Sequence, residues 1–335
     1  MFKTELDSYA RKVGLLTAFL LVGITALFAQ TMPAPGENID FLSTFGANAD
    51  PQWGDDDHLQ IVFFVVPKSV KRPVYIRVFD PDCGGQHDLL TEVPWDTKTK
   101  FSIYGGAGAH SNKDARQHKP GANYKSGNLL ISLEFSSSTS DDEWYTFGPF
   151  NPAEGEFNRE LDAFLFKVVV EGVSGNDGNA YRLSLSTAPK GNIPVTGGNA
   201  FTYNYTFRLK YNKDEVAHIY PYVDEKVQSF EQFNFDFDNE GEIKLYSVAK
   251  NGHVLKGSND GDIVSSKHPV EDKERGKSMD IQIAKNANRI NDMTFYLLNQ
   301  YNEAIPFFAI PIGGIPKYSF NIGIKYDYVN QNRSY

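Results

Sequence analysis

Apolar positions recur along this chain with the period of β-structure. Leu59-Gln60-Ile61-Val62-Phe63-Phe64-Val65-Val66 is a short apolar, β-branched run suited to a buried strand, and Val74–Phe79 follows it after a polar connector. Further runs lie at Phe101–Tyr104, Leu129–Phe135, Ala163–Gly172 and Ala180–Ser186. Phe201, Tyr203, Tyr205, Phe207 and Leu209 alternate with smaller or more polar residues, which predicts one half-buried strand. A second set follows at Val216–Val223, Val227–Asp238, Glu242–Ala249, Ser278–Ala284, Met293–Asn299 and Ala304–Ile312. Asp238-Asn239-Glu240-Gly241, Lys250-Asn251-Gly252 and Asn259-Asp260-Gly261 punctuate it as turns. No amphipathic helix longer than three turns is evident. The pattern predicts an all-β protein of two tandem antiparallel β-sandwich domains, at about 55–212 and 213–314, with an amphipathic C-terminal strand.

The flanks read differently. Arg11 and Lys12 precede an apolar run from Val13 to Ala29, with small Ala29 at a cleavage position. Residues 1–29 are expected to be a signal peptide, against the rival reading of an uncleaved anchor. Residues 30–54 hold Pro33, Pro35, Gly36, Pro51 and Gly54 and read as an extended lead-in. In 315–335, after Pro311, Gly313, Gly314 and Pro316, the residues Tyr318, Phe320, Ile322, Ile324, Tyr326 and Tyr328 alternate with Ser319, Asn321, Gly323, Lys325 and Asp327. Three readings fit this strand: the closing strand of the second sandwich, strand addition to a partner's sheet edge, or one strand of a membrane barrel. The matching segments a barrel needs are not found.

Charge and cysteine narrow the function. Lys and Arg total 33 against 42 Asp and Glu, a formal charge of −9, with no basic run to hold phosphates. A nucleic-acid partner is therefore not expected. Cys83 is alone, so no internal disulfide forms and no all-Cys metal cluster exists. An exported chain lacking disulfides must be held by core burial or bound ions.

The acids cluster at predicted strand ends. Asp55, Asp56 and Asp57 stand just before the first strand; Asp80 and Asp82 follow the second, with Asp88 in the next loop. If those strands form a hairpin, the carboxylates converge and repel unless a cation intervenes, and calcium takes 6–8 oxygen ligands. The rival reading is a set of solvated turns. Asp236 and Asp238 share the polar face of a strand opposite Phe233, Phe235 and Phe237. A hairpin with an Asn-Glu-Gly turn explains them, with a β-loop calcium site as the alternative. An EF-hand is rejected, since Ser247 stands where the bidentate Glu belongs. Gly175-Asn176-Asp177-Gly178-Asn179 reads as a hairpin turn, and the glycine-rich Tyr104–Ala109 as a bend between strands.

Other chemistry is weaker. His58, Cys83 and His87 are a soft-metal alternative whose spacing matches no zinc pattern. No H-E-x-x-H occurs, and Gly172-Val173-Ser174-Gly175 fails the nucleophile elbow at Asn176. Trp53, Trp95, Trp144 and Tyr145 fall in predicted loops, where they can stack on sugars or plug the core.

Val74–Gly85, a strand followed by Asp-Pro-Asp-x-Gly, resembles the Asp-rich strand-turn of pre-peptidase C-terminal-type sandwiches, and Ala163–Ser186 is similar to their closing strands. The resemblance covers about a third of the chain. It implies a non-catalytic, often calcium-stabilised, extracytoplasmic module; Cys83 and the long insertion at 104–128 depart from it. The run ending Ala29-Gln30 is similar to signal peptides of the Bacteroidota. The expectation is a non-enzymatic, exported, calcium-binding subunit of a bacterial envelope or outer-membrane complex, in the periplasm or at the cell surface. The alternative is a carbohydrate-binding module or a polysaccharide-acting hydrolase or lyase.

Overall fold

The computed structural model describes residues 30–50, 57–89, 95–138 and 142–314. The segment 1–29 expected to be a signal peptide, Trp53, Asp55, Asp56 and the expected strand Tyr318–Tyr328 lie outside the described residues.

In chain order the strands are β1 (Gln30–Met32), β2 (Ile39–Phe45), β3 (Leu59–Pro67), β4 (Val74–Phe79), β5 (Lys98–Gly105), β6 (Asn128–Phe135), β7 (Trp144–Phe150), β8 (Glu156–Asn158), β9 (Ala163–Ser174), β10 (Gly178–Ser186), β11 (Asn199–Thr202) and β12 (Asn204–Leu209). There follow β13 (Ala217–Ile219), β14 (Tyr222–Val223), β15 (Ser229–Phe235), β16 (Gly241–Tyr246), β17 (Asn251–Leu255), β18 (Ile263–Pro269), β19 (Lys277–Ser278), β20 (Asp280–Lys285), β21 (Asn291–Asn299) and β22 (Phe307–Phe308). All pairings are antiparallel, and the protein is an all-β sandwich.

A nine-stranded sheet in the order β18-β15-β21-β12-β2-β10-β4-β7, with β1 beside β10, forms the backbone of the fold. A seven-stranded sheet, β22-β11-β3-β9-β5-β6 with β8 beside β9, covers one part of it. Phe101 meets Tyr181 across that interface at 5.2 Å, and Phe150 meets Phe166 at 5.8 Å. A four-stranded sheet, β13-β20-β16-β17, accompanies the second half. Leu42, Val62, Phe64, Ile281, Phe295 and Leu297 belong to one continuous core.

This topology corrects the division into tandem sandwiches. β12 pairs with β21 from Asn204↔Tyr296 to Leu209↔Asn291, so the long sheet runs straight through the expected boundary at 212. The lead-in is also structured. β2 is a central strand between β12 and β10, and its Ser43 and Thr44 are buried on hydrogen bonds to Asp292 and Tyr181.

The seven-stranded sheet buries both faces. Val62, Phe64 and Val66 point to the shared core, whereas Ile61, Phe63 and Val65 join a second cluster with Tyr104, Ala109, Ala115 and Phe201. The β5–β6 connection folds over that second face, which explains why β3 reads as apolar throughout.

Candidate functional site

The chain leaves β4 through Asp80, whose φ of 56° turns it sharply beneath the start of β7, where the Asp80 N–H donates to Glu143 O at 3.0 Å. Asp80 is fully buried, and among the described residues neither carboxylate oxygen has a hydrogen-bond partner. Burial, and then the charges of Asp88, Asp142 and Asp82, push its pKa up to about 9. Asp88 closes the following loop: it accepts from the Gly84 N–H at 2.5 Å and the Ala180 N–H at 2.6 Å. Burial drives its pKa up to about 7 in spite of those two donors. The Asn179 amide donates to Pro81 O at 2.9 Å and Thr99 Oγ1 at 3.0 Å, while its Oδ1 is buried without a partner. Behind Asp88, Arg208 donates to His87 O and pairs with buried Asp292 at 3.0 Å.

The convergence expected from a β3–β4 hairpin does not form, because β3 and β4 lie in different sheets. Asp57 is therefore engaged elsewhere: Thr294 on β21 donates to its Oδ2, and its carbonyl accepts from Phe45 N at 3.1 Å. Asp80, Asp82 and Asp88 do share one corner, with Asp142 as an acid absent from the expected set. The soft-metal trio does not assemble. His58 Nδ1 is 3.3 Å from Phe45 O, and His87 Nε2 is 3.8 Å from Asp142. The Cys83 thiol is pushed far up by burial and the surrounding carboxylates, so it stays protonated.

The Asp236–Asp238 segment is likewise not a hairpin. β15 belongs to the nine-stranded sheet and β16 to the four-stranded one, so the segment crosses between sheets. Asp236, Asp238 and Asn239 all have positive φ there. The β17–β18 crossing runs alongside and contributes Asp260. Ligand atoms of Asp236, Asp238 and Asp260 lie within 4.8 Å of one another, the tightest gathering of acids among the described residues. Burial and Asp260 raise the Asp238 pKa. Asp260 sits in Asn259-Asp260-Gly261, a segment with the same signature as any turn.

The Trp144 and Tyr145 aromatics begin β7 instead of a loop, and Trp95 lies beside Gly84. Arg77 stacks over the Trp144 ring at 4.8 Å, and Phe79 packs on it at 5.5 Å, so that ring is engaged within the protein.

A second polar centre had no sequence signal. Lys167 on β9 is fully buried on the outer face of the seven-stranded sheet. It donates to Tyr124 O and, at 2.6 Å, to Ser126 O, with the Tyr104 ring 4.9 Å away. Burial lowers its pKa to about 8. Glu156 takes N–H groups of Gly108, His110 and Ser111 from the same connection.

No protein-family model matches the chain, and no curated protein matches it. Among solved structures, the T=1 particle of Penaeus vannamei nodavirus, determined by cryo-EM, aligns over 82% of this chain and 96% of that one. Identity is 10% and the TM-score 0.17, too low to carry any argument. Among the described residues, no helix is long and apolar enough to cross a membrane.

Proposed function

We propose that the chain is a non-enzymatic, exported, calcium-binding β-sandwich protein that serves as an interaction or assembly subunit of a bacterial envelope, at the outer membrane. The observation that carries the calcium reading is Asp80: a buried carboxylate, with both oxygens lacking a partner among the described residues and three acids around it. Such a group needs either a proton or a cation. The acids at this corner, Asp80, Asp82, Asp88 and Asp142, would offer hard oxygens, which suit calcium over softer metals, and Asp236, Asp238 and Asp260 would offer a second set of the same kind. The export and envelope parts rest on the signal-peptide pattern and on a lone cysteine in a chain of 335 residues.

The test is metal analysis of the purified protein with melting curves in chelator and in calcium. Bound calcium should stabilise the fold by about 2.7 kcal/mol at a hundredfold excess over Kd. Asp80→Asn should abolish that shift. Protein that purifies without metal and melts identically in both buffers refutes the calcium reading. Co-purification from native membranes tests the envelope assignment.

A further inference from the structure

β6 is the last strand of the seven-stranded sheet; among the described residues only β5 pairs with it. Its side chains Ile131, Leu133 and Phe135 rest on the core but stay half-exposed, because no described strand continues the sheet beyond them. Phe135 meets Tyr145 of β7 edge-on at 5.1 Å, and β7 is itself the edge of the opposite sheet. On the other face of β6 stand Ser132 and Glu134. An eight-residue edge with this much apolar surface and no proline is a template for strand pairing.

We propose that this edge accepts residues Tyr318–Tyr328 of a second copy of the chain as an added strand. The inference rests on the assembly reading above and names its partner. Three observations support that occupant. The first is pattern: Tyr318, Phe320, Ile322, Ile324, Tyr326 and Tyr328 alternate with polar residues, so one face extends the row of Ile131, Leu133 and Phe135 while the other extends Ser132 and Glu134. Charge is the second. Tyr318–Tyr328 carries Lys325 against Asp327, so the added strand is neutral and adds no repulsion between copies of a chain of net −9.

The third is reach. The described chain ends at Gly314, where Gly313 lies against Gly276 and Lys277, on the β22 side of the fold. β22 and β6 are opposite edges of one sheet, five strand intervals or about 24 Å apart. Ile315–Lys317 spans at most about 11 Å. Tyr318 therefore cannot start at β6 of its own chain, whereas a second copy has no such limit. The contact is head-to-tail, which closes into a ring or propagates as a chain.

The test mixes two whole-chain variants, Ile131→Cys and Ile322→Cys, under mild oxidation; the native Cys83 is buried. Leu133→Cys gives the same readout should Ile131→Cys melt early. The expected result is a mixed disulfide dimer, on the order of tenfold above a control pairing Ile263→Cys with Ile322→Cys, since paired strands hold the thiols at a high effective concentration. Ile263 is an exposed residue on β18, an edge of the other sheet. Yields equal to the control overturn the proposal. So does an intrachain disulfide in the double variant Ile131→Cys/Ile322→Cys at high dilution, which identifies pairing within one chain. A failed cross-link beside a retained calcium-dependent melting shift removes self-pairing alone.

Discussion

Replacing Lys167 with methionine should loosen the cover of the seven-stranded sheet, and the effect should grow with pH. The ammonium group is the donor for two carbonyls, Tyr124 O and Ser126 O, in the connection that lies over Phe63 and Tyr104. Lys167→Met keeps the apolar stem and leaves both acceptors without their donor. Each such acceptor costs about 1–3 kcal/mol, partly offset because a buried charge is also removed, so a net loss of about 2 kcal/mol is expected at pH 7. The pH dependence follows from the lowered pKa. Between about 8 and 10.5 the unfolded chain holds a proton on Lys167 that the folded chain has released, so the native protein gains stability as pH rises through that window. The full gain is on the order of 3 kcal/mol. Lys167→Met lacks it, and the stability gap should widen from pH 7 to pH 10. Urea melts at several pH values measure the gap, and hydrogen exchange of the amides at 108–126 localises it. A gap that stays constant with pH, or a variant as stable as the parent, refutes this account of Lys167.

Gly84 has φ of +148°, and a Cβ there would sit 1.8 Å from Ser138 O. Gly84→Ala should therefore cost about 1–3 kcal/mol in urea melts, and a neutral outcome would mean that the Asp80 corner repacks freely. Asp238→Asn should stabilise the fold in chelator by roughly half a kcal/mol, read as a higher melting point, because it removes a partly buried charge and its repulsion from Asp260. A lower melting point in chelator would show that the charge itself supports the crossing.

Strand positions were largely legible, and strand partners were not. Leu59–Val66, Val74–Phe79 and Ala180–Ser186 fall where alternation and β-branching place them. What the pattern hides is whether the next strand stays in the same sheet. Asp238-Asn239-Glu240-Gly241 and Gly175–Asn179 carry the glycine and Asx residues of hairpin turns, yet both lead from one sheet to the other. Lys250-Asn251-Gly252, of the same composition, does join the paired strands β16 and β17. The run from Phe201 to Leu209 looks continuous because its period never breaks. It is nevertheless divided at Tyr203, with β11 in one sheet and β12 in the other. Thr202 and Asn204 mark that division: Gln60 donates to Thr202 Oγ1 and to Asn204 O, satisfying the backbone where it changes sheets. β2 was missed because its Ser43 and Thr44 look solvent-facing when no buried partner is known.

The crossings also explain how a chain with a single cysteine ties two large sheets together. A strand that changes sheets exposes backbone groups at the sandwich rim, and each must find a partner. The partners here are short polar side chains buried at the crossings. Asn234 donates to Lys256 O at 2.6 Å and accepts from Ser258 N at 2.8 Å, linking the β15–β16 and β17–β18 crossings. Thr97 accepts from Asp177 N at 2.8 Å, and Asn179 holds Pro81 O, linking the β9–β10 crossing to the end of β4. The acids belong to the same rim. Asp177 is satisfied by Thr97, whereas among the described residues the Asp80 carboxylate has no donor, so a cation bound there would join β4, β7 and β10 at the rim. Calcium should accordingly slow hydrogen exchange first at the amides of Asp80, Gly84 and Ala180, and only later in the β13–β20 pair. Uniform protection across both regions would instead indicate that the ion acts on global stability alone.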